Sequence, residues 1–583
     1  MSMVTLKING EEVQVPEGTS IFKAADETNT KIPVLCYHPD LPAWAACGIC
    51  VVKIEGSPKL VRACATNVAE GMSVITHDSE LHQIRKTTVE LILSTHPNSC
   101  LTCPRNRTCE LQRLAADFGI REIPFELNIP SIPKDASTPS IVLDPEKCVK
   151  CGRCVLVCQG LQDVYALEFI GRGDEVRMAP AGDIALNDSP CIKCGQCSAH
   201  CPVGAIYEKD ETRTVFEGLR DKSKHSVVQI APAVRVAIGE AFGYAPGEIT
   251  TGKLYAALRR LGFDTIFDTN FAADLTIMEE ASEFVQRFAH GKGVLPMVTT
   301  CCPSWVDYME KYYPEMIPHF STAKSPQMML AAMTKSYYAK KIGKKAEEIF
   351  HVSVMPCTSK KYEISRGDDM FSSGAQDIDV SITTRELSRM IKAAGIDFRS
   401  LEDEEADPTL GIYSGAGTIF GVTGGVMEAA IRSAHYFVTG KNMDKVEFEP
   451  VRGLEGVKEA TIDLAGKEVR IAVAHSIRNV RSVIDKMKSA LENGDEPPYH
   501  FVEVMACRGG CIGGGGQPYG ATDEVRRKRI AGLYSDDVKS TVRCSHDNPQ
   551  IQELYESFLG EPLGEKSHQY LHTHYTPRKL YQR

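Results

Sequence analysis

Three short cysteine segments, separated by long stretches of ordinary chain, restrict what this polypeptide can become. They are TTCCPSW with Cys301 and Cys302, MPCTSKKYE with Cys357 and Lys360, and EVMACRGGCIGGGGQP with Cys507 and Cys511. Cysteines so far apart cannot close a local zinc knuckle, whose paired ligands sit a few residues from one another. They can meet only where a large fold converges on one buried group. Their neighbours are prolines, methionines and a run of glycines, a setting suited to a bulky, mostly apolar inorganic guest.

The chain has 583 residues, enough for about three to five domains that each bury a core. Its net charge of −10 is spread over interspersed acidic and basic residues, which argues against nucleic acid or an anionic membrane as the main partner. The opening MSMVTLKINGEEVQV alternates like a strand and lacks a charged segment followed by an apolar one, so no secretory signal is expected. No uninterrupted apolar run approaches bilayer length, so no membrane span is expected and the expected location is cytoplasmic. The 21 cysteines could suggest a disulfide-rich secreted protein. Their grouping in C-x2-C units of a long chain without an export signal favours metal ligation in a reducing compartment instead.

Along the chain, the reading is strand, turn at Asn9-Gly10, strand, and a short helix near residues 21–25. A loop with Cys36, Cys47 and Cys50 follows, then Cys64, and residues 79–93 read as a helix ending at His96-Pro97. Residues 127–139, rich in Pro and Ser, read as a linker, and residues 141–206 form a cysteine-dense unit. From about residue 224, strand-like runs (VVQIAPAVRVAI, EIFHVSVMP, VRIAVAHS) alternate with helical stretches, the pattern of an α/β domain. The last segment, from residue 548, reads as one helix and an irregular tail. No solenoid repeat is present, only a short duplication of cysteine motifs.

That duplication is C-x2-C-x2-C-x3-C, written twice: Cys148, Cys151, Cys154, Cys158 and Cys191, Cys194, Cys197, Cys201. In this bacterial ferredoxin pattern the fourth cysteine of each run ligates the other cluster. The expected [4Fe–4S] sites are Cys148, Cys151, Cys154 with Cys201, and Cys191, Cys194, Cys197 with Cys158. Pro202 follows the second run as the pattern expects, whereas Gln159 stands in that place after the first. Cys36, Cys47, Cys50 and Cys64 resemble a plant-type [2Fe–2S] domain with a lengthened first gap, a structural zinc being the alternative. His96, Cys100, Cys103 and Cys109 form H-x3-C-x2-C-x5-C, in which the histidine could otherwise be a helix-end residue. With imidazole for one thiolate, that site would differ from its neighbours in reduction potential and would suit an entry or branch point. These fifteen cysteines and one histidine account for four clusters, a wiring that leaves open what chemistry sits at its end.

The three opening segments resemble the signature motifs of the [FeFe]-hydrogenases, and the order of the accessory sites extends that resemblance over nearly the whole chain. The resemblance implies a multidomain α/β and α+β protein. Its parts would be a β-grasp [2Fe–2S] domain (1–78), a His-ligated [4Fe–4S] domain with linker (79–140), a two-[4Fe–4S] ferredoxin domain (141–208) and a catalytic domain (209–583) with a small-subunit-like tail from about 520. It implies that Cys302, Cys357, Cys507 and Cys511 hold the [4Fe–4S] part of an H-cluster. Cys511 would also bridge to a two-iron subcluster whose CO, cyanide and dithiolate amine come from maturation proteins. Lys360 would donate to a cyanide, and Met355, Met505, Pro232, Ala233, Ser325 and Gln327 would line the pocket. Cys301 would be a free thiol relaying protons to Glu280, with Ser321, Glu283 and a near-surface Arg287 beyond. Glu280, Glu283 and Arg287 share one helical face by spacing, although an exposed Glu–Arg pair would show the same spacing. The glycine run lacks the Lys-Ser/Thr ending of a phosphate loop and does not clearly follow a strand. Cys544 lies outside every motif, as a buried or idle thiol.

Three other readings compete: a complex I-like electron-transfer subunit, a non-catalytic iron–sulfur assembly relative, and a sensory hydrogenase. The first would lack the three C-terminal segments, the second is not expected to retain the whole Cys301, Glu280, Ser321, Glu283 set, and that intact set with no appended sensor domain argues against the third. No Rossmann or flavin motif is visible, so NAD(P) reduction would need a partner flavoprotein and small [2Fe–2S] subunits, ferredoxin being the other candidate acceptor.

Overall fold

The computed structural model describes residues 2–582. The first unit is a five-stranded sheet in the spatial order Glu11–Pro16, Met3–Ile8, Ser73–Ile75, Val51–Ile54, Val61–Arg62. Val4, Leu6 and Ile8 alternate inward, which is how a half-buried strand satisfies its pleat. Helix Ile21–Asp26 packs on this sheet. Helix Ser79–Ser94 then begins at Asp78, whose Oδ1 accepts the Leu81 N–H at 2.7 Å, satisfying one of the otherwise orphaned donors.

The ferredoxin-like unit is built on the antiparallel strands Ile141–Leu143 and Ile206–Glu208. Its two cysteine runs adopt one local shape: Gly152 and Gly195 sit at φ +80° and +69°, each starting a short helix. The left-handed glycine turns the cysteine loop back on itself at little steric cost.

The large unit carries two four-stranded sheets. In the first, Thr265–Asp268, His225–Ile230, Ile349–Met355 and Val380–Thr383 run parallel in that order. In the second, Met297–Val298, Phe501–Met505 and Lys467–His475 are parallel, with Val457–Leu464 antiparallel at the edge. Helices such as Thr251–Leu261, Thr269–His290 and Pro326–Met333 cover them. Parallel strands buried on both faces read as near-continuous apolar runs, as VSVM and FVEVM do apart from the buried Ser353 and Glu503.

Three details differ from the sequence reading. The run from Val227 ends as a strand at Ile230, because Pro232 cannot donate to a ladder and turns the chain. The C-terminal segment holds a second helix, Glu565–Leu571, after Pro549–Leu554; its buried Leu571 packs with Leu554 and Leu559, which gives it a core to fold against. The glycine-rich segment follows strand Phe501–Met505 directly. Among the described residues no helix is long and apolar enough to cross a membrane.

The ferredoxin-like unit is locked to the large unit by buried charge. Arg385 donates to Glu208 at 2.7 and 3.0 Å and to the carbonyls of Gly515 and Gln517, both at 2.7 Å, while Arg389 takes the other Glu208 oxygen at 2.7 Å. Although burial alone would raise it, these two guanidiniums hold the Glu208 carboxyl well below the usual range. Arg385→Ala is expected to destabilise the protein by about 3–5 kcal/mol, because Glu208 would be left buried with half its compensation. Thermal unfolding of the iron-loaded chain, monitored by circular dichroism, checks this.

Candidate active site and metal centres

Four of the parallel strands in the two sheets are each followed at their carboxyl end by residues that the sequence singled out. His225–Ile230 ends before Pro232 and Ala233, Met297–Val298 before Cys301 and Cys302, Ile349–Met355 before Cys357, and Phe501–Met505 before Cys507. A crevice at the carboxyl ends of parallel strands is where open α/β folds bind their ligands. Met355 and Met505, both 2% exposed, are the last residues of their strands and pack into two different core clusters, Met505 with its sulfur against Gly510.

Cys302, Cys357, Cys507 and Cys511 crowd one another. Burial pushes the Cys357 and Cys511 thiols up to about 12, with the neighbouring cysteines adding to the rise. Cys507 is raised further by burial and by Cys357, Cys302, Cys194 and Cys511 around it. Four sequestered thiols cannot all ionise without a cation between them, and soft thiolates in that number suit iron–sulfur chemistry. The donor set therefore fits a cubane.

The glycines also allow close packing of backbone on backbone. A Cβ at Gly514 would be driven into the Pro356 carbonyl, at Gly515 into the Cys194 carbonyl, and at Gly516 against Thr383. The bare backbone thus lets the Cys511 loop lie directly on the Cys357 segment and on the ferredoxin cysteine loop. Gly510, at φ +94°, adds a turn that disfavours side chains and has no room beside Met505.

Lys360 is buried and ion-paired. Its Nζ donates to the Cys301 carbonyl at 3.1 Å and to Glu363 at 2.8 Å. Burial opposes its charge, yet Glu363 and the nearby thiols keep its pKa above the ordinary lysine value. Gln327 donates to Glu363 at 2.9 Å and accepts from Ser353 at 2.8 Å. The Ser325 hydroxyl is buried with no partner. Glu363 escaped the sequence reading, although its position three residues from Lys360 on one helix face was the available signal.

On the other side, helix Thr269–His290 presents Glu280, Glu283 and Arg287. Glu280 is fully buried, and neither carboxylate oxygen makes a hydrogen bond of good geometry, the Ser321 hydroxyl and the Thr300 N–H being the nearby donors. Burial, with Glu283 nearby, pushes its carboxyl up to about 8. The same burial, together with Glu280, Cys511 and Cys302, raises the Cys301 thiol well above its usual value. The Ser321 hydroxyl donates to Glu283 at 3.3 Å. Arg287 lies just under the surface, 8% exposed beneath the exposed Val294; it pairs with Glu283 and donates to the carbonyls of Phe320 and Val294 at 2.7 and 3.0 Å. Loop 291–296 folds back over the helix end and supplies that cover. A further buried carboxylate, Glu503, was also missed; it accepts the backbone N–H groups of Gly424 and Met427 at 2.6 and 2.7 Å, at the start of helix Gly425–Thr439. Its signal was a charge inside the apolar run FVEVM. Cys544 is buried, 4% exposed, away from the four-thiol centre.

The accessory cysteines also assemble. Cys50 and Cys64 lie 3.3 Å apart, with Cys36 and Cys47 in contact range of the same group. Cys158 lines a void with Cys191, Cys194 and Cys197, while Cys201 lines another with Cys148, Cys151 and Cys154. His96 shares a surface cavity with Cys100 and Cys109; its Nε2 is buried without a partner, and burial lowers its pKa, leaving a neutral imidazole with a free donor atom.

The Glu280 pKa has a thermodynamic consequence. A carboxyl raised from 4.5 to about 8 on folding stabilises the fold fully below the unfolded value, and that stability is lost as pH rises through the folded value. Between pH 5 and 8 the native chain is therefore expected to lose stability relative to Glu280→Gln, which carries no titrating group. Denaturant unfolding of the two proteins across this range is the measurement.

Residues 224–515 match the family profile described as iron only hydrogenase large subunit, C-terminal domain, and residues 523–578 the iron hydrogenase small subunit. Residues 1–79 match a 2Fe-2S iron-sulfur cluster binding domain, 85–124 the NADH-ubiquinone oxidoreductase-G iron-sulfur binding region, and 147–205 a 4Fe-4S dicluster domain. The NADP-reducing hydrogenase subunit HndD of Solidesulfovibrio fructosivorans is 47% identical, covering 99% of this chain and 100% of that one. Iron hydrogenase 1 of Clostridium pasteurianum is 41% identical, covering 98% and 100%. The solved structure of apo [FeFe]-hydrogenase HydA1 from Chlamydomonas reinhardtii aligns with TM-score 0.57 and 43% identity, covering 64% of this chain and 100% of that one. With a four-thiol centre at the strand ends, iron–sulfur domains ahead of it and relatives that match from end to end, the chain belongs to the iron-only hydrogenases, oxidoreductases that act on hydrogen.

Proposed function

We propose that this chain interconverts H2 with two protons and two electrons at an H-cluster held by Cys302, Cys357, Cys507 and Cys511. Its four accessory sites would be one [2Fe–2S] and three [4Fe–4S] clusters, one of these with His96 as a ligand. The observation that carries the reading is Cys301: a free, half-buried thiol beside four crowded thiols, with the Glu280 carboxyl next to it. When bound, the two-iron part of the cofactor supplies a Lewis-acidic iron and a basic amine for splitting hydrogen. The remaining tasks fall to the protein.

Cys301 stays a thiol in this environment and can hand a proton to Glu280, whose pKa near 8 lets it accept and release one at working pH. Ser321 and Glu283 continue the line, and Arg287 fixes the Glu283 carboxylate. The Thr322 N–H also donates to Glu283 at 3.1 Å, and the Thr322 hydroxyl meets His572 at 2.8 Å, giving Glu283 an outward neighbour. Lys360, kept charged by Glu363, offers an N–H donor to an anionic ligand in the pocket. An electron-carrying or assembly role would leave the Cys301–Glu280 pair without a task.

Electrons would pass between the centre and the Cys191–Cys194–Cys197–Cys158 site, because Cys194 is an electrostatic neighbour of Cys507. The outer ends would be the [2Fe–2S] domain and the His96 site, whose cavity opens to the surface. The small-subunit segment and the likeness to a subunit of an NADP-reducing hydrogenase favour a multi-subunit assembly with a flavoprotein and small [2Fe–2S] subunits, ferredoxin being the alternative acceptor.

Cys301→Ala is expected to lower hydrogen turnover by at least ~100-fold, the scale of a lost general acid–base step, with iron content and cluster reduction unchanged. Near-native turnover would remove Cys301 from the route. Anaerobic isolation of the native protein addresses the partner: a co-purifying flavoprotein is expected, and a lone chain that reduces ferredoxin would exclude the assembly.

A further inference from the structure

The duplicated cysteine runs share the sequence C-G-x-C, and in both copies the variable residue reaches out of its own unit. In the first copy it is Arg153, which bonds Glu110 at 2.7 and 2.9 Å and the Tyr37 carbonyl at 2.8 Å, toward the N-terminal units. In the second it is Gln196, only 3% exposed. Its Nε2 donates to the Sγ of Cys507 at 3.2 Å and to the Gly513 carbonyl at 3.0 Å. A residue embedded between two ferredoxin cysteines therefore places an amide N–H on the sulfur of a cysteine of the catalytic centre.

Its position is tightly determined. Gly195 starts the helix on which Gln196 sits, and a side chain at Gly195 would collide with Thr358. Thr358 donates to the Lys193 carbonyl at 2.8 Å, and Gly515 lies on the Cys194 carbonyl. At the other end of the short helix, His200 Nδ1 meets the Gln196 carbonyl at 2.8 Å. The amide is thus held against the thiol by backbone contacts from both units and has little rotational freedom.

We propose that Gln196 is a positioning residue that sets the redox poise of the catalytic cubane, a reading that rests on Cys507 being one of its ligands. An N–H donated to a ligating thiolate withdraws electron density, favours the more negative reduced cluster and raises its potential. Gln196 itself gains or loses no electron or proton. The effect belongs to the catalytic cubane alone, because the amide lies on Cys507 and not on a cysteine of its own cluster.

The test is an infrared-monitored redox titration of the full-length, iron-loaded enzyme, in which CO and cyanide stretches report on the catalytic cofactor only. Gln196→Met keeps the side-chain bulk and removes the donor. At the potential that half-reduces the native cubane, its reduced-to-oxidised ratio is expected to fall about tenfold, equivalent to 59 mV for a one-electron couple. The accessory-cluster signals in electron paramagnetic resonance should keep their midpoints. Gln196→Leu, which also lacks any donor, should shift in the same direction. A native midpoint in whichever variant retains full iron overturns the proposal. Loss of iron in both variants overturns it too, since Gln196 would then be a structural strut. Absence of cofactor bands in the native enzyme would instead sink the underlying assignment of the centre.

Discussion

The cost of ionising four thiols gathered away from water is the constraint around which the catalytic centre is organised. Cys302, Cys357, Cys507 and Cys511 come from three segments spread over more than two hundred residues, and the ends of two parallel sheets force them together. Burial raises all four above the ordinary thiol value, and neighbouring cysteines add to the rise at Cys357, Cys507 and Cys511. A protein gains nothing from assembling such a group unless a cation binds there, because the thiols satisfy no hydrogen-bonding need of their own. Metal binding and folding are therefore coupled: the thiols must deprotonate for a cluster to enter, and the cluster neutralises the crowding that the fold creates.

The same packing explains how the reacting centre is connected. The glycines of the last motif were expected to make room for the cofactor. They also remove side chains where the Cys511 loop lies on Pro356 and on the Cys194–Gly195 backbone. Two cysteine-bearing loops from different units can approach this closely only when neither carries bulk at the contact. Arg385 and Glu208 then hold the units in register, and because both are buried, neither can let go cheaply.

The buried carboxylates near the centre show how environment assigns roles to identical side chains. Glu503 caps a helix start through two backbone donors. Glu279, next to Glu280 in sequence, points the other way and binds His572 and the Tyr555 hydroxyl. Glu280 alone is left without a hydrogen bond of good geometry, so desolvation dominates and its pKa rises into the neutral range. A carboxyl that can exchange a proton at working pH is the kind that proton transfer requires.

The sequence by itself determined the cysteine inventory, the pairing logic of the two ferredoxin runs and the alternation that builds parallel sheets, because ligand spacing and apolar periodicity are local properties. It also placed Glu280, Glu283 and Arg287 on one helix. It could not decide that Arg287 is covered, since the cover comes from loop 291–296 and the carbonyls of residues 318–320, contacts across a tertiary interface. Nor could it assign the glycine run to close contact between units or reveal Gln196 on Cys507, 311 residues away. Those facts depend on which surfaces meet when four cluster-bearing units pack together, and no one-dimensional pattern records that.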